Sequence, residues 1–409
     1  MLSNKSDWSF KTFDDICEVR KEKFNPINNP DQPYIGLEHI ESGVGVINGI
    51  GSSKDTTSMK NVFKESDILL GKLRPYLKKY WYATFEGVCA TEVLPLVAKQ
   101  NIDEKYLFYL VQNESFINYI SDRAFGTRMP RTSWNEIAEY EIQIPLKLKE
   151  QHKIAAILSS VDEAIEKTEQ IIEQTETVKK GLMQQLLTKG IGHTEYKSSS
   201  IGVIPSNWDV KTLNELVVKI FGGGTPSRTV TEYYNGKIPW ITVKDIEDKQ
   251  EIEDSQEYIS EEGLLNSSAT LIPKDNLIVS TRMAVGKALK NNADVAINQD
   301  MKGIIVNNNI VETDFLLYAY IYNTDKIKRL ATGTTVKGIR LEQLKQIQFR
   351  LPPKDEQLKI VSILSNLNEK LNINKRAKSR LEKLKQGLMQ QLLTGKVRVP
   401  VNESEEVPS

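Results

Sequence analysis

Residues 150–188 read EQHKIAAILSSVDEAIEKTEQIIEQTETVKKGLMQQLLT, and residues 356–394 read EQLKIVSILSNLNEKLNINKRAKSRLEKLKQGLMQQLLT. The two stretches align without a gap, and both end in the same eight letters, GLMQQLLT. An identity of that length inside a longer match indicates that the chain contains an internal duplication.

The duplication continues outside these stretches. It matches WSFKTF from Trp8 with WDVKTL from Trp208, DILLGKLR from Asp67 with DNLIVSTR from Asp275, and Gly126-Thr127 with Gly333-Thr334. The second of these matches places Arg74 opposite Arg282. Each half therefore reads as a globular domain followed by a long helix, and the globular parts have diverged more than the helices.

Both long stretches carry apolar residues at a seven-residue spacing, which predicts a coiled coil. The main seam consists of Ile154, Val161, Thr168, Thr175 and Leu182 in the first helix and of Ile360, Leu367, Asn374, Leu381 and Leu388 in the second. A second seam is predicted three residues further on, at Ile157, Ala164, Ile171 and Val178, and at Ile363, Ala377 and Leu384. Leu186 and Leu392 are further candidates for contacts in the coiled coil or with a partner. Lys370 and Asn374 interrupt the apolar seam of the second helix, and such polar residues help to fix the register of a coiled coil.

A helix of this length spans roughly 58 Å and needs a packing partner. Its own copy is the obvious partner, and an approximate two-fold axis between the halves would make the two helices antiparallel. The alternative is that each helix packs separately on its own domain.

Two features of the helices suggest that they bind another subunit. Gly181 and Gly387 lie inside the helices, where they mark either a close helix crossing or the landing point of another subunit. Further apolar residues beside the seam are predicted to be exposed, which makes an additional helical partner plausible; they are Leu158, Ile165, Ile172, Leu364 and Leu371.

The globular parts alternate short β-rich runs with turn signals, and short helices are predicted over residues 103–121 and 312–330. The predicted fold class is α+β: two α/β-mixed globular domains separated by a long antiparallel two-helix coiled coil with pseudo-two-fold symmetry. The predicted divisions are a first domain over 1–149, helix 1 over 150–189, a linker and second domain over 190–350, helix 2 over 351–398, and a disordered acidic tail over 399–409.

Basic residues cluster at corresponding places in the two globular domains, although the net charge of the whole chain is zero. Lysine and arginine neutralise phosphates, and arginine also reads guanine edges. Each such residue is alternatively a plain solvated charge. The candidate DNA contacts are Lys72, Arg74, Lys78, Lys79, Thr127, Arg128 and Arg131, then Arg282, Lys287, Thr334, Thr335, Lys337 and Arg340.

The sequence argues against chemistry by this chain. Three scattered histidines and two cysteines, Cys17 and Cys89, offer neither a metal-ligand pattern nor a disulfide framework. The tetrapeptide Asn/Asp-Pro-Pro-aromatic of adenine methyltransferases is missing, as are a complete P-loop and a Gly-x-Ser-x-Gly elbow. Mean hydropathy is −0.39 and the N-terminus lacks a signal segment, so we expect a cytoplasmic protein.

The repeated Gly-Leu-Met-Gln-Gln-Leu-Leu-Thr ends resemble the helical ends of type I restriction–modification specificity (S) subunits. Three other features also fit that family: the prolines before Glu150-Gln151 and Glu356-Gln357, the start at Trp208, and the loop at Gly333. The resemblance covers nearly the whole chain. It implies a non-catalytic subunit whose two domains each read half of a bipartite, asymmetric DNA site.

The resemblance also implies the partners. The helices would set the spacing of the half-sites and hold two modification (methyltransferase) subunits, and two restriction subunits would join them. S-adenosylmethionine, ATP and Mg would belong to those partners, so this chain is expected to bind no cofactor. The competing hypothesis is a coiled-coil scaffold with protein-binding globular ends. A self-sufficient methyltransferase is disfavoured by the missing tetrapeptide.

Overall fold

The computed structural model describes residues 7–246, 249–333 and 337–401. The chain divides into two compact units, the first formed by Met1–Gln170 with Lys375–Ser409 and the second by Ile171–Asn374. Each unit thus contains one globular domain, the beginning of one long helix and the end of the other. The predicted divisions had instead kept each helix apart as a segment of its own.

The first unit mixes helices and strands. Its helices are α1 (Phe13–Ile16), α2 (Glu104–Gln112), α3 (Glu114–Asp122), α4 (Trp134–Ala138) and the start of α5 (Leu148–Leu186). Its strands are β1 (Trp8–Thr12), β2 (Cys17–Val19), β3 (Lys23–Phe24), β4 (Pro33–Ile35), β5 (Gly51–Ser52), β6 (Lys60–Phe63), β7 (Ile68–Gly71), β8 (Tyr80–Tyr82), β9 (Gly87–Cys89), β10 (Val93–Ala98) and β11 (Glu141–Pro145).

The strands of the first unit form three sheets. Strands β1 and β11 pair antiparallel, and a second antiparallel sheet has the order β2-β10-β7-β8. The third sheet, β3-β6-β9-β4-β5, is mixed because β4 and β9 run parallel. The mixed α+β class is therefore confirmed for this domain.

The second unit repeats this plan. Its helices are α6 (Leu213–Leu216), α7 (Val243–Ile246), α8 (Glu261–Leu265), α9 (Thr313–Tyr322), α10 (Thr324–Leu330), α11 (Leu341–Lys345) and the start of α12 (Lys354–Leu392). Its strands are β12 (Tyr196–Ser199), β13 (Gly202–Pro205), β14 (Asp209–Thr212), β15 (Val217–Gly222), β16 (Ile238–Ile241), β17 (Glu251–Ile252), β18 (Tyr258–Ile259), β19 (Thr270–Ile272), β20 (Leu277–Ser280), β21 (Ala288–Asn291), β22 (Val295–Ile297), β23 (Met301–Val306) and β24 (Gln348–Leu351).

The sheets of the second unit correspond to those of the first. The pair β14–β24 takes the place of β1–β11, and β15-β23-β20-β21-β17 takes the place of the antiparallel sheet. The sheet β18-β16-β22-β19 is mixed through the parallel pair β16–β22. A separate hairpin, β12–β13, follows α5.

The two long helices pack antiparallel in each unit. In the first unit, ion pairs join Glu169 to Lys378 and Asp162 to Lys385. Residue numbers therefore decrease along one helix as they increase along the other, as in an antiparallel pair. In the second unit, Met183 and Leu186 near the end of α5 share a core with Ile360 and Leu364 near the beginning of α12. The predicted antiparallel pairing is confirmed, and the alternative of separately packed helices is wrong.

The predicted second seam is confirmed only in part. Ile157, Ala164 and Ala377 are half-buried, whereas Ile171 and Val178 are exposed in α5, and Ile363 and Leu384 are exposed in α12. The long helices also have buried or half-buried positions outside the predicted second seam: Leu158, Ile165, Ile172, Leu364 and Leu371. Leu158, Leu364 and Leu371, expected to be exposed, are therefore buried.

The repeated GLMQQLLT segments anchor each helix in a core that the other globular domain builds. Met183, Leu186 and Leu187 are buried in the core of the second unit, with Leu182 packed against it. Leu392 and Leu393 are buried in the core of the first unit, with Leu388 and Met389 packed against it. The helix that leaves one domain thus ends in the core of the other.

A glutamate at the start of each helix, buried in α5 and half-buried in α12, binds the chain segment that follows the other helix. In the first clamp, Glu150 accepts hydrogen bonds from Trp8 Nε1 (3.1 Å) and from Nε (2.9 Å) and Nη2 (3.1 Å) of Arg398. In the second clamp, Glu356 accepts from Trp208 Nε1 (2.9 Å), and its Oε1 lies 2.8 Å from His193 Nε2.

Both helices end earlier than predicted. Gly190 (φ +67°) and Gly395 (φ +69°) turn the chain in the left-handed region, and an added Cβ would lie 2.7 Å from Trp208 and 3.0 Å from Trp8, respectively. Val399, assigned to the tail from the sequence, is buried in the core of the first unit. Residues 402–409 of the predicted tail lie outside the described residues.

Candidate nucleic-acid interface

A closed loop carries Thr127, Arg128 and Arg131 in the first unit. The backbone groups of Phe125 and Arg131 donate to each other, both at 2.9 Å, so residues 125–131 form a tight hairpin. Gly126 takes a φ of +108°, a conformation that side chains disfavour. This loop is one of the two loops that bring the predicted basic residues together.

The second of these loops contains Lys72 and Arg74. The backbone carbonyl of Lys72 accepts from Thr132 N at 3.0 Å, and Arg74 N donates to the Pro130 carbonyl at 2.7 Å. The Arg74 guanidinium also donates from Nη2 to the Arg128 carbonyl at 3.1 Å, while its Nε is buried. Arg74 therefore supports the backbone of the neighbouring loop, and its contact with DNA stays a prediction.

Lys78 and Lys79 lie at the far end of the same loop, beside a hairpin over residues 40–47. The Lys78 carbonyl accepts from Gly43 N at 2.9 Å, and Lys79 Nζ donates to the Ile40 carbonyl. Lys78 Nζ also forms an exposed ion pair with Glu114 at 3.3 Å. Exposed pairs of this kind are weak, so Lys78 remains available to a phosphate.

The second unit builds the same pair of loops. Thr332 and Gly338 exchange two backbone hydrogen bonds of 2.9 Å, and Ile339 N donates to the Thr281 carbonyl at 2.9 Å. Gly333 has a φ of +131°, like Gly126 in the first unit. The candidates Thr334 and Thr335 lie outside the described residues.

These hydrogen bonds correct the alignment of Arg74 with Arg282. The bond from Thr132 to Lys72 corresponds to the bond from Ile339 to Thr281, and the bridge between Leu73 and Arg131 corresponds to the bridge between Arg282 and Gly338. The residue after each bridge has a positive φ: Arg74 at +50° and Met283 at +62°. The structural counterpart of Arg74 is therefore Met283, and the strands before the two loops, Ile68–Gly71 and Leu277–Ser280, already have this register.

Each pair of loops places one arginine beside one carboxylate. Arg131 Nε lies 3.2 Å from Glu92, and Arg282 Nε lies 3.7 Å from Asp300. Glu92 and Asp300 occupy equivalent positions, since their carbonyls accept from Lys72 N and Thr281 N at 2.9 Å. Both arginines remain half-exposed, so a phosphate could compete with the carboxylate for them.

The other candidates of the second unit lie around the same loops. Lys287 lies at the end of the loop that begins at Thr281. Its backbone carbonyl accepts a hydrogen bond from Ser280 N at 3.0 Å. Lys337 is exposed beside Gly338. Arg340 precedes α11, and its backbone N donates to Gln343 Oε1 at 3.0 Å. All described members of the candidate set thus lie on or next to the paired loops.

The sequence analysis missed the apolar side chains on these loops. Phe125 is 73% exposed and Met129 50% in the first unit, and Met283 is 69% exposed in the second. Val44 and Val46 are exposed on the hairpin beside Lys78. An aromatic residue directly before Gly126, within a run rich in arginine, is the signal that could have identified Phe125.

A second surface lies on the long helices. Ile171 and Val178 line a groove with Leu367, Lys370 and Asn374 in the second unit. An added Cβ at Gly181 or Gly387 would have no heavy atom within 4 Å among the described residues, so these glycines do not serve a close crossing there. The remaining candidates are buried or half-buried in the helix pair and the cores: Ile154, Val161, Leu182, Leu186, Ile360, Leu367, Leu381, Leu388 and Leu392.

Neither a membrane-spanning helix nor a metal-ligand cluster occurs in the described part of the chain. None of its helices combines the length and the apolar composition that a bilayer crossing requires. Across the same described ranges, no three His, Cys, Asp or Glu side chains are grouped so that they could hold a metal ion.

Known proteins resemble the chain over nearly its full length. The type I restriction modification DNA specificity domain matches it twice, over residues 5–177 and 205–383. The putative type I restriction enzyme MjaX specificity subunit of Methanocaldococcus jannaschii is 29% identical over 412 residues, covering 96% of this chain and 94% of that protein. The EcoR124I/EcoR124II specificity subunit of Escherichia coli is 36% identical over 174 residues, 40% of this chain and 41% of that protein.

Solved structures agree on the fold. The crystal structure of the type I restriction–modification S subunit from M. genitalium has a TM-score of 0.63 at 19% identity and covers 96% of this chain and 98% of that one. A chain from a structure of the assembly and conformational transition of the type I R-M system has a TM-score of 0.60 over 96% of this chain.

Proposed function

Since the chain belongs to the type I restriction–modification DNA specificity family, we propose that it reads DNA without performing chemistry itself. Each globular domain reads one half of a bipartite, asymmetric site through its paired loops. The observation that carries this proposal is the shared loop backbone with unlike side chains, Arg74 in one domain and Met283 in the other. The same scaffold with different side chains suits two different half-sites.

The long helices set the gap between the half-sites. Each helix has 39 residues and therefore rises about 58 Å along its axis. Both ends of each helix are fixed, at the start by a clamp and at the end by a buried leucine cluster. This anchoring supports a constant separation of the two reading surfaces.

The exposed faces of the helices dock two modification subunits, and two restriction subunits complete the assembly. Exposed apolar residues and an open glycine occur on both helices, which supports two equivalent docking places; the residues are Ile171, Val178 and Gly181, and Ile363, Leu384 and Gly387. S-adenosylmethionine, ATP and Mg are held by these partners, and the whole complex acts in the cytoplasm.

The DNA-reading function is tested by co-expressing the chain with its modification subunit and sequencing the methylated genome. We expect one bipartite motif that disappears when the gene is deleted. Affinity for a duplex containing that motif should fall steeply as salt rises, because phosphate contacts release counterions. Absence of a motif, together with binding that is insensitive to salt, would favour the protein-binding scaffold instead.

Docking is tested by placing a charge on the exposed helix face. Val178→Asp and Leu384→Asp should lose the modification subunit in a pull-down and keep the melting temperature of the isolated chain, because both side chains are about half-exposed. Leu265→Asp, at a fully exposed leucine of α8, is the matched control. Retained assembly in both variants would reject this docking face.

A further inference from the structure

Phe125 is exposed on a loop that also carries two arginines. It is the first residue of the hairpin that also carries Thr127, Arg128 and Arg131, and 73% of its surface is accessible. A large apolar side chain at the surface contributes nothing to the core, so its position calls for another partner.

The loop holds this side chain on a fixed backbone. Two hydrogen bonds of 2.9 Å join Phe125 to Arg131, and Arg74 supports the tip through the carbonyls of Arg128 and Pro130. The backbone of the loop is therefore tied at its base and at its tip. A pre-organised apolar group loses little conformational entropy when it binds.

The basic residues near Phe125 indicate which kind of molecule it contacts. Arg128 and Arg131 belong to the same hairpin, and Lys72 lies beside it through its bond with Thr132. Cations of this kind attract phosphates on either side of a groove. An exposed apolar side chain on a loop with such cations matches the proteins that insert a wedge between base pairs and unstack them.

We propose that Phe125 enters the base stack of the half-site read by the first globular domain and unstacks one base step. This role rests on the proposed DNA-reading function. Arg74 is then a positioning residue, because it holds the loop and leaves the contact with the bases to Phe125. Met129, on the same loop, adds a second apolar contact with the opened step.

The test uses the chain in complex with its modification subunit and a duplex that contains the methylated motif. 2-Aminopurine replaces in turn each adenine other than those that the modification subunit methylates, because a methyltransferase flips its target base out of the stack. Pyrrolocytosine replaces each cytosine, so every remaining base pair of both half-sites is probed. On binding, the fluorescence at one step should rise, because unstacking relieves quenching. Phe125→Ala should abolish that rise and weaken binding about tenfold.

Two further variants make the result specific. Phe125→Leu keeps an apolar wedge and should retain most of the fluorescence rise. Phe10→Ala removes an equally exposed phenylalanine from β1 of the same unit. It should change neither the fluorescence rise nor the affinity for the duplex.

The outcomes separate this inference from the proposed function. Specific binding without a fluorescence rise at any position, or a rise that survives Phe125→Ala, overturns the wedge and leaves the DNA-reading function intact. Loss of the modification subunit from the Phe125→Ala complex also overturns it, since the side chain would then serve protein assembly. Failure of the wild-type complex to prefer the motif overturns both.

Discussion

Asp162 Oδ1 lies 2.7 Å from Lys385 Nζ, and this pair joins the two long helices in the first unit. Asp162 Oδ2 also accepts a hydrogen bond of 2.7 Å from the Tyr109 hydroxyl, which connects the helices to the globular domain. In the second unit, Lys179 donates to Asn368 at the corresponding place in the repeat. Tyr109 and Tyr318 reach matching serines, Ser159 and Ser365, both at 3.2 Å. A polar contact between the long helices thus recurs at the same place of the repeat in each unit.

We expect Lys385→Met to destabilise the first unit by about 1–2 kcal/mol, because it leaves the Asp162 carboxylate without its cation in a partly buried seam. Thermal unfolding of the isolated chain measures the effect. Lys383→Met, at an exposed position of the same helix, is the control. Equal melting curves for both variants would show that the seam pair does not contribute.

The first clamp predicts a larger effect. Glu150→Gln should lower the free energy of unfolding by about 2–3 kcal/mol, because Arg398 loses a buried, bidentate carboxylate. Urea unfolding followed by tryptophan fluorescence suits this test, since Trp8 contacts the same carboxylate. Glu163→Gln, exposed on the same helix, should leave the midpoint unchanged. If the two substitutions shift it equally, the clamp has no special role.

Much of the architecture could be predicted from the repeat alone. The duplication indicated two similar domains, the heptads indicated a helix pair, and both predictions are confirmed. The second seam was partly misplaced because adjacent residues are both apolar, as at Ile157 and Leu158. The core of the first unit decides between them by burying Leu158 completely. Heptad spacing contains no information about that core.

The functional loops were harder to predict for a different reason. Gapless matching aligned Arg74 with Arg282, but hydrogen bonds align it with Met283, because the match is already displaced by one residue in the strands before the loops, where Gly71 corresponds to Ser280. The repeat did not predict the clamps, because the side chains that bind the two glutamates, Arg398 and His193, are of different types. Contacts between residues distant in sequence decide both features, and such contacts leave no periodic pattern.

The two cysteines provide a probe of the first unit. Burial raises the pKa of the Cys17 and Cys89 thiols well above the usual range. A raised pKa leaves little thiolate at about pH 8, so both thiols should resist Ellman's reagent in the folded chain. Both should react once guanidinium chloride unfolds the first unit. Rapid reaction of either thiol in the native chain would contradict their burial.

Gly181 and Gly387 separate the stability of the chain from its assembly. Among the described residues, an alanine Cβ would meet no heavy atom within 4 Å at either site beyond the helix's own backbone, so Gly181→Ala and Gly387→Ala should each stabilise the isolated chain by about 0.5–1 kcal/mol through helix propensity. If a modification subunit packs directly on these glycines, the same methyl groups should weaken its capture. Calorimetry of the isolated chain and titration with the modification subunit measure the two effects independently. More stable variants that bind the subunit as tightly as the wild type would exclude the glycines as landing points, because added methyl groups cannot be neutral in a close helix contact.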